Sequence, residues 1–296
     1  MVSMYCVNRI INTRLKVLKI SIILACCVML YAFILPKFSR VVYSMTDEKN
    51  NRDKHHLAVV VPFRNAFEEL LQFAPHIHNF LNQQRIPHSI HVINQADKYR
   101  FNRGSLINVG YQLTRHICDY FAMHDVDLLP LNPKLSYRYP GNGPFHIASP
   151  ELHPIYQYST FVGGILILTN EHFELVNGLS NRYWGWGKED DDFYERIRDA
   201  NLNLSRPNNV GSGMYNTFHH IHDSSERIRD KSVYGEIESE LKRGRSSRGL
   251  DDVQYLLLKT HYLVINQVPV VMHVVKLTCN ITLTPWCEAG YEDLKD

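Results

Sequence analysis

The chain has 296 residues, 45% hydrophobic and 21% charged, with a net charge of +2. Such a composition excludes a low-complexity chain and suits one globular domain of about 200–250 residues plus accessory segments. Lysine and arginine are spread along the chain, which argues against nucleic acid as a partner.

The first element is an uncharged run, Ile20 to Leu35, ended by Pro36. With Val17 and Leu18 it approaches the roughly 17–25 residues that cross a bilayer. Arg9, Arg14, Lys16 and Lys19 cluster near its N-terminal end, and no acidic residue precedes Asp47. Positive charge stays cytoplasmic, so residues 1–16 read as a cytoplasmic tail, 17–35 as a signal anchor, 36–55 as a polar stem and 56–296 as the lumenal domain. The basic leader, and the lack of a small-x-small site before Pro36-Lys37-Phe38, favour an uncleaved anchor over a signal peptide. The sequons at Asn203 and Asn280 agree with a lumenal domain. In an oxidising compartment Cys279 and Cys287 are the expected disulfide, while Cys118 lies in an apolar stretch and reads as a buried thiol.

Order begins at Leu57–Val61, an apolar run closed by Pro62 that reads as a strand buried on both faces. Residues 66–83 predict an amphipathic helix containing Pro75, 88–94 a strand, 104–117 a helix, and a further strand leads to Asp125. Strands alternating with helices predict right-handed crossovers and a parallel sheet, with ligands gathered at the carboxyl ends of its strands. Residues 224–251 are dense in charge and read as an exposed helix and loop; the last forty residues return to β-like alternation.

Three constellations carry chemistry. Asp125-Val126-Asp127 follows an apolar strand, and extended alternation would put both carboxylates on one side, able to hold a divalent cation and the hydroxyls of a nucleotide sugar. Tyr183 to Asp192 interleaves Trp184 and Trp186 with glycines before four acids, an aromatic platform for a sugar face beside a carboxylate able to accept a hydroxyl proton. His220 and His222, two apart, would share one face of a strand, with His219 pointing away. One carboxylate with two imidazoles suits Mn²⁺, Fe²⁺ or Zn²⁺, and diphosphate oxygens completing the sphere favour Mn²⁺. Arg64 and Arg103 are candidate phosphate or uracil contacts, Gly163-Gly164 leaves room for a ligand or another backbone, and Tyr156 and Tyr158 have sugar-binding character.

Pro62-Phe63-Arg64-Asn65, Phe101-Asn102-Arg103, Asp125-Val126-Asp127, Phe161 to Gly164 and Trp184 to Asp192 occur in an order that resembles the β-1,4-galactosyltransferases, from about residue 57 to about residue 275. The resemblance implies a type II Golgi membrane enzyme with a GT-A fold, a Rossmann-like mixed α/β sheet flanked by helices. It further implies UDP-galactose as donor, Mn²⁺ as cofactor and transfer with inversion. Asp127 then holds the metal with His220 and His222, and Asp190 is the catalytic base. Pro62, Phe63, Arg64, Asn65, Phe101, Arg103, Asp125, Val126, Trp186 and Glu189 fall on the donor side; Tyr156, Tyr158, Trp186, Asp190 and Asp191 fall on the acceptor side. Members acting on N-acetylglucosamine supply a methionine and a histidine three apart as the remaining metal ligands. This chain departs from them, and its histidine pair, short stem and tyrosines are similar to the branch that adds galactose to the 4-hydroxyl of xylose on proteoglycan core proteins. An N-acetylhexosamine acceptor, or a metal-dependent lumenal hydrolase, are the competing readings.

Overall fold

The computed structural model describes residues 55–225, 227–242 and 249–290. The tail, anchor and nearly all of the stem assigned above lie outside the described residues, among which no helix is long and apolar enough to cross a membrane.

Strand β1 (Leu57–Phe63) is buried at every position. Leu57, Val59 and Val61 face one apolar cluster, and Ala58 and Val60 face a second. An uninterrupted apolar run is what a central strand covered on both faces requires. Helix α1 (Phe67–Gln83) fills the first cluster with Leu70, Phe73, Ala74, Ile77 and Leu81, the four larger side chains each contributing roughly 1.5–3 kcal/mol relative to exposure. Helix α2 (Arg103–Thr114) fills the second with Leu106, Ile107 and Val109. A Cβ on Gly110 would stand 2.3 Å from Val60 Cγ1, so glycine lets this helix lie close on the sheet.

The remaining strands are β2 (His88–Gln95), β3 (Tyr120–His124), β4 (Leu128–Pro130), β5 (Phe145–His146), β6 (Ile165–Thr169), β7 (Phe218–His220), β8 (Tyr255–Ile265) and β9 (Val268–Leu277). Seven form one sheet in the order β5-β6-β3-β1-β2-β9-β8, and β4 pairs with β7 in a separate ribbon. β3, β1, β2 and β9 are parallel, whereas β6, β5 and β8 join antiparallel. The parallel sheet expected from strand–helix alternation is present in β3, β1, β2 and β9, and the antiparallel β6, β5 and β8 make the whole the mixed sheet that the resemblance implies. The chain passes from β1 outward to β2, then returns to place β3 on β1's other flank, so a topological switch point falls between β1 and β3.

Pro62 does not close β1 as expected but pairs with Ile93 inside it. The pairing of β1 with β3 has ended at Val60, so the missing N–H costs no bond on that side. Pro75 likewise lies within α1, and the Leu71 carbonyl it leaves unbonded belongs to a residue 54% exposed to water. Helices α3 (Asn170–Leu175), α4 (Glu189–Asp199), α5 (Gly213–Thr217) and α6 (Tyr234–Lys242) complete the fold. Cys279 and Cys287 form the expected disulfide, and Cys118 is a buried free thiol whose pKa burial pushes up to about 12.

Candidate active site

A cleft of about 1340 Å³ opens at the carboxyl ends of β1 and β3, where the switch point predicts a ligand. Its floor is the turn between β3 and β4. Asp125 and Asp127 sit in this turn, not on an extended strand, so strand alternation is not what brings them together. The Asp125 N–H donates to Gly164 and the Ile221 N–H to the Asp127 carbonyl, which fixes the turn between β6 and the β7 chain.

That second bond carries the two histidines to Asp127. Asp127 Oδ2 lies 3.2 Å from His222 Nδ1 and 3.7 Å from His220 Nε2. Only His220 belongs to β7, since His222 lies beyond its end; the expected shared strand face is replaced by convergence on one carboxylate. His219 is exposed and points elsewhere, as alternation requires. Burial alone would raise the Asp127 pKa, but the His222 hydrogen bond and both imidazoles outweigh it and hold the carboxyl below its ordinary value. Among the described residues no three His, Cys, Asp or Glu side chains stand placed to hold a metal ion by themselves. The trio instead offers one carboxylate and two imidazoles to the cleft, and His222 Nε2 is buried without a hydrogen-bond partner. A borderline cation finished by oxygens of a bound diphosphate fits that donor set.

Opposite stands the N-terminus of α4. Glu189, Asp190, Asp191 and Asp192 occupy its first turn, where the macrodipole favours negative charge. The four have different work. Asp192 is buried on Arg196 Nε at 2.7 Å and is structural. Glu189 faces Arg103 Nη1 at 3.7 Å, and Asp191 faces Lys188 at 3.2 Å. Arg103 also grips Asp125 through two nitrogens at 2.7 and 2.8 Å, tying the β3–β4 turn to the acidic helix. Among the described residues Asp190 forms no ion pair of its own, and the Arg103 charge acts on it only as a lesser influence. Burial first, then the charges of Glu189 and Asp191, push its carboxyl up to about 7. The Tyr158 hydroxyl donates to Asp190 Oδ2 at 3.4 Å.

Space for that carboxylate comes from Gly163, whose absent Cβ would stand 2.9 Å from Asp190 Oδ2 and 2.7 Å from the Phe161 ring. Gly163→Ala is expected to displace Asp190 and lower kcat about 10- to 100-fold with the fold retained, since misplacement of about 1 Å at a reacting group can cost 10²-fold. Steady-state kinetics beside circular dichroism would check it; wild-type kcat would sink the account.

Trp186 roofs the cleft. Its ring lies 6.5 Å from both Tyr156 and Tyr234, with Arg229 at 5.6 Å and Lys231 at 4.9 Å from its centroid. Trp184 does not share this platform: it is 2% exposed, packed edge-on against Tyr99, and belongs to the core. Of the donor-side residues, Pro62, Arg64, Asn65, Phe101, Arg103, Asp125, Val126, Trp186 and Glu189 line the cleft. Phe63 does not, being 1% exposed within the core. Arg64 is no free surface arginine: it donates to the Tyr99 carbonyl at 2.7 Å and pairs with Asp97. The residues expected on the acceptor side, Tyr156, Tyr158, Trp186, Asp190 and Asp191, all line the cleft, while Asn203 and Asn280 are exposed and do not line it.

The charged stretch read as an exposed loop is corrected in part. Asp223 and Arg227 to Asp230 line the cleft; Arg227 pairs with buried Glu69, Arg100 with Asp230, and the Asp230 carbonyl accepts the Trp186 N–H at 2.9 Å. The one signal in sequence was position: the stretch begins two residues after His222, whose place beside Asp127 sets where the chain enters it.

Two family descriptions match the chain, "N-terminal region of glycosyl transferase group 7" over residues 42–140 and "N-terminal domain of galactosyltransferase" over residues 143–221. It is 53% identical to β-1,4-galactosyltransferase 7 of Drosophila melanogaster over 238 residues, 80% of this chain and 74% of that one. It is 46% identical to xylosylprotein 4-β-galactosyltransferase of Caenorhabditis elegans over 244 residues, 79% and 83% of the two chains. The crystal structure of the Drosophila catalytic domain with xylobiose superposes with a TM-score of 0.77 at 52% identity, covering 79% of this chain and 99% of that one. An aspartate-to-asparagine mutant of the same Drosophila enzyme, with manganese, UDP-Gal and xylobiose, gives 0.76 at 52% identity and the same coverage. With 53% and 46% identity to these relatives over about four-fifths of its length, the chain belongs to the β-1,4-galactosyltransferase family.

Proposed function

We propose that this chain transfers galactose from UDP-galactose to the 4-hydroxyl of xylose on proteoglycan core proteins, with inversion and with Mn²⁺ as cofactor. Support comes from relatives that carry xylosylprotein galactosyltransferase names or were crystallised with manganese, UDP-Gal and xylobiose. The observation in this chain that carries the reading is the cleft with opposed chemistries: Asp127, His220 and His222 on one wall, and Asp190, poised near neutrality beside Tyr158, on the other.

The chemistry is one in-line displacement. The Asp190 carboxylate takes the proton of the acceptor hydroxyl as that oxygen bonds to the anomeric carbon, and the bond to the diphosphate breaks with its electron pair leaving on UDP. Asp127, His220 and His222 would hold Mn²⁺, which when bound supplies Lewis-acid neutralisation of the leaving diphosphate. Arg103 keeps Asp125 and Glu189 in register with each other, and Tyr158 orients Asp190. Trp186 excludes water from a donor it would otherwise lose to hydrolysis.

The same reading makes the protein a single-pass type II membrane protein of the Golgi held by residues 17–35. The basic residues before that run, the exposed sequons and the disulfide support a lumenal domain. Full-length chain should transfer labelled galactose to a β-xyloside only when Mn²⁺ is added, and at least ten times faster than to an N-acetylglucosaminide. Preference for the glucosaminide would overturn the acceptor, and release of free galactose at equal rate without acceptor would make the protein a hydrolase.

A further inference from the structure

The two tyrosines of the acceptor side stand on a stretch of chain, residues 154–160, that has no helix or strand of its own. Tyr158 is 42% exposed and its neighbours Gln157 and Ser159 are exposed too, so burial does little to hold them. A sugar site gains affinity when its aromatic walls are fixed before the sugar arrives, because ordering them on binding costs free energy. The buried group at the start of this stretch is His153, which is 3% exposed and lines the cleft.

A tight turn places that imidazole. The N–H groups of Leu152 and His153 both donate to the Ser149 carbonyl, at 2.9 and 2.8 Å, and Pro150 follows Ser149, where its fixed φ suits a turn. Pro154 then disfavours helical backbone at His153 and ends the turn. The ring reaches back over the chain that follows it: Nδ1 accepts the N–H of Ile155 and that of Tyr156, each at 3.0 Å. Two donors on one nitrogen leave the ring proton on Nε2, and burial keeps the imidazole neutral, holding its pKa down to about 4. The Tyr156 ring lies 5.1 Å from the imidazole, and the Phe161 ring meets it edge-on at 5.0 Å. Its Cδ2 is 3.6 Å from where a Gly164 Cβ would stand, and the Gly164 carbonyl accepts the Asp125 N–H. One imidazole thus joins the tyrosine stretch to the turn that carries Asp125 and Asp127. A phenylalanine would serve the packing equally well, but it would leave both N–H groups without their acceptor.

We infer that His153 is a positioning residue of the acceptor site: by accepting the Ile155 and Tyr156 N–H groups at Nδ1, it fixes the Tyr156–Tyr158 wall against which the acceptor glycoside lies. The inference rests on the proposed function for the acceptor role of those tyrosines, and it holds for whichever glycoside they receive. Two substitutions separate the acceptor atom from the ring. His153→Phe keeps a ring and removes the acceptor, whereas His153→Asn gives up the ring and sets an Oδ1 with two lone pairs near the position of Nδ1. With a β-xyloside, His153→Phe is expected to raise the acceptor KM about tenfold, while kcat and the KM for UDP-galactose stay within about threefold of wild type. His153→Asn is expected to keep the acceptor KM within about threefold of wild type. Equilibrium binding of the β-xyloside in the presence of UDP and Mn²⁺, followed by tryptophan fluorescence, should weaken in the same pattern without any turnover. Equal loss in both variants would make His153 a packing residue, and equal loss of UDP-galactose affinity would make it a general brace; either result overturns the inference. If His153→Phe does not fold, His153→Asn decides alone, since an acceptor KM raised about tenfold there overturns the inference. A wild type that transfers only to an N-acetylglucosaminide would overturn the xylose reading, and the two variants are then judged on that acceptor by the same outcomes.

Discussion

Asp190→Asn should abolish most galactosyl transfer, lowering kcat by about 10²–10⁴-fold, while UDP and Mn²⁺ bind as before. Asparagine keeps the side chain's shape and one oxygen, enough for the Asp191 N–H that reaches Oδ1. Its NH₂ takes the place of the Oδ2 that accepts from Tyr158 and can donate to that hydroxyl instead, but it cannot take a proton. The same change should stabilise the protein at alkaline pH. The Asp190 carboxyl has an ordinary pKa of 3.8 and is pushed up to about 7 by burial and by its acidic neighbours. A folded pKa above the unfolded one means that the folded state binds more protons between those limits, so wild type loses stability as pH rises through them. The variant escapes that loss. Its gain should be full above about pH 7 and fade toward pH 4, reaching about 1–2 kcal/mol, or a few degrees in Tm, after allowance for water in the open cleft. In wild type, kcat/KM should climb with pH and level off above about 7, as a base that must be ionised requires. Retained transfer in the variant, or a pH-independent rate from 5 to 8, would remove Asp190 from the role.

What sequence could and could not convey divides along the reach of the interactions. β1 was legible because a strand buried on both faces must be apolar throughout, and the Asp-Val-Asp turn because it follows such a strand. The antiparallel members were not legible from alternation, since a period of two says which face a residue takes and nothing of the neighbour's direction. Trp184 and Trp186, two apart and both flanked by glycine, look alike in sequence. Tyr99, distant along the chain, draws Trp184 into the core. The stretch after His222 misled for the same reason. Its charge density implies solvent, yet Glu69 takes Arg227, Arg100 takes Asp230, and the rings of Tyr156 and Trp186 take Arg229. Local composition counts charges, and only the fold supplies their partners.

The proposed metal-binding role of Asp127, His220 and His222 can be separated from that of their neighbours by three substitutions. Asp127→Asn is expected to lower kcat/KM at fixed Mn²⁺ by about 10²–10³-fold, because loss of one anionic ligand removes a few of the several kcal/mol a bound cation supplies, at 1.36 kcal/mol per tenfold. UDP should then need far more Mn²⁺ to raise the protein's Tm, a readout independent of turnover. Asp125→Asn should behave differently although the residue is only two positions away. Its carboxylate is already engaged by Arg103, and burial raises its pKa, whereas Asp127 is held ionised by two imidazoles. Loss of Asp125 should therefore raise KM for UDP-galactose and leave the Mn²⁺ requirement nearly unchanged. His219→Ala, on the same short strand as His220 but exposed on its other side, should alter neither. If Asp125→Asn shifted the Mn²⁺ requirement as strongly as Asp127→Asn, the turn would be acting as a two-carboxylate site, and Arg103 would have to release Asp125 whenever donor binds.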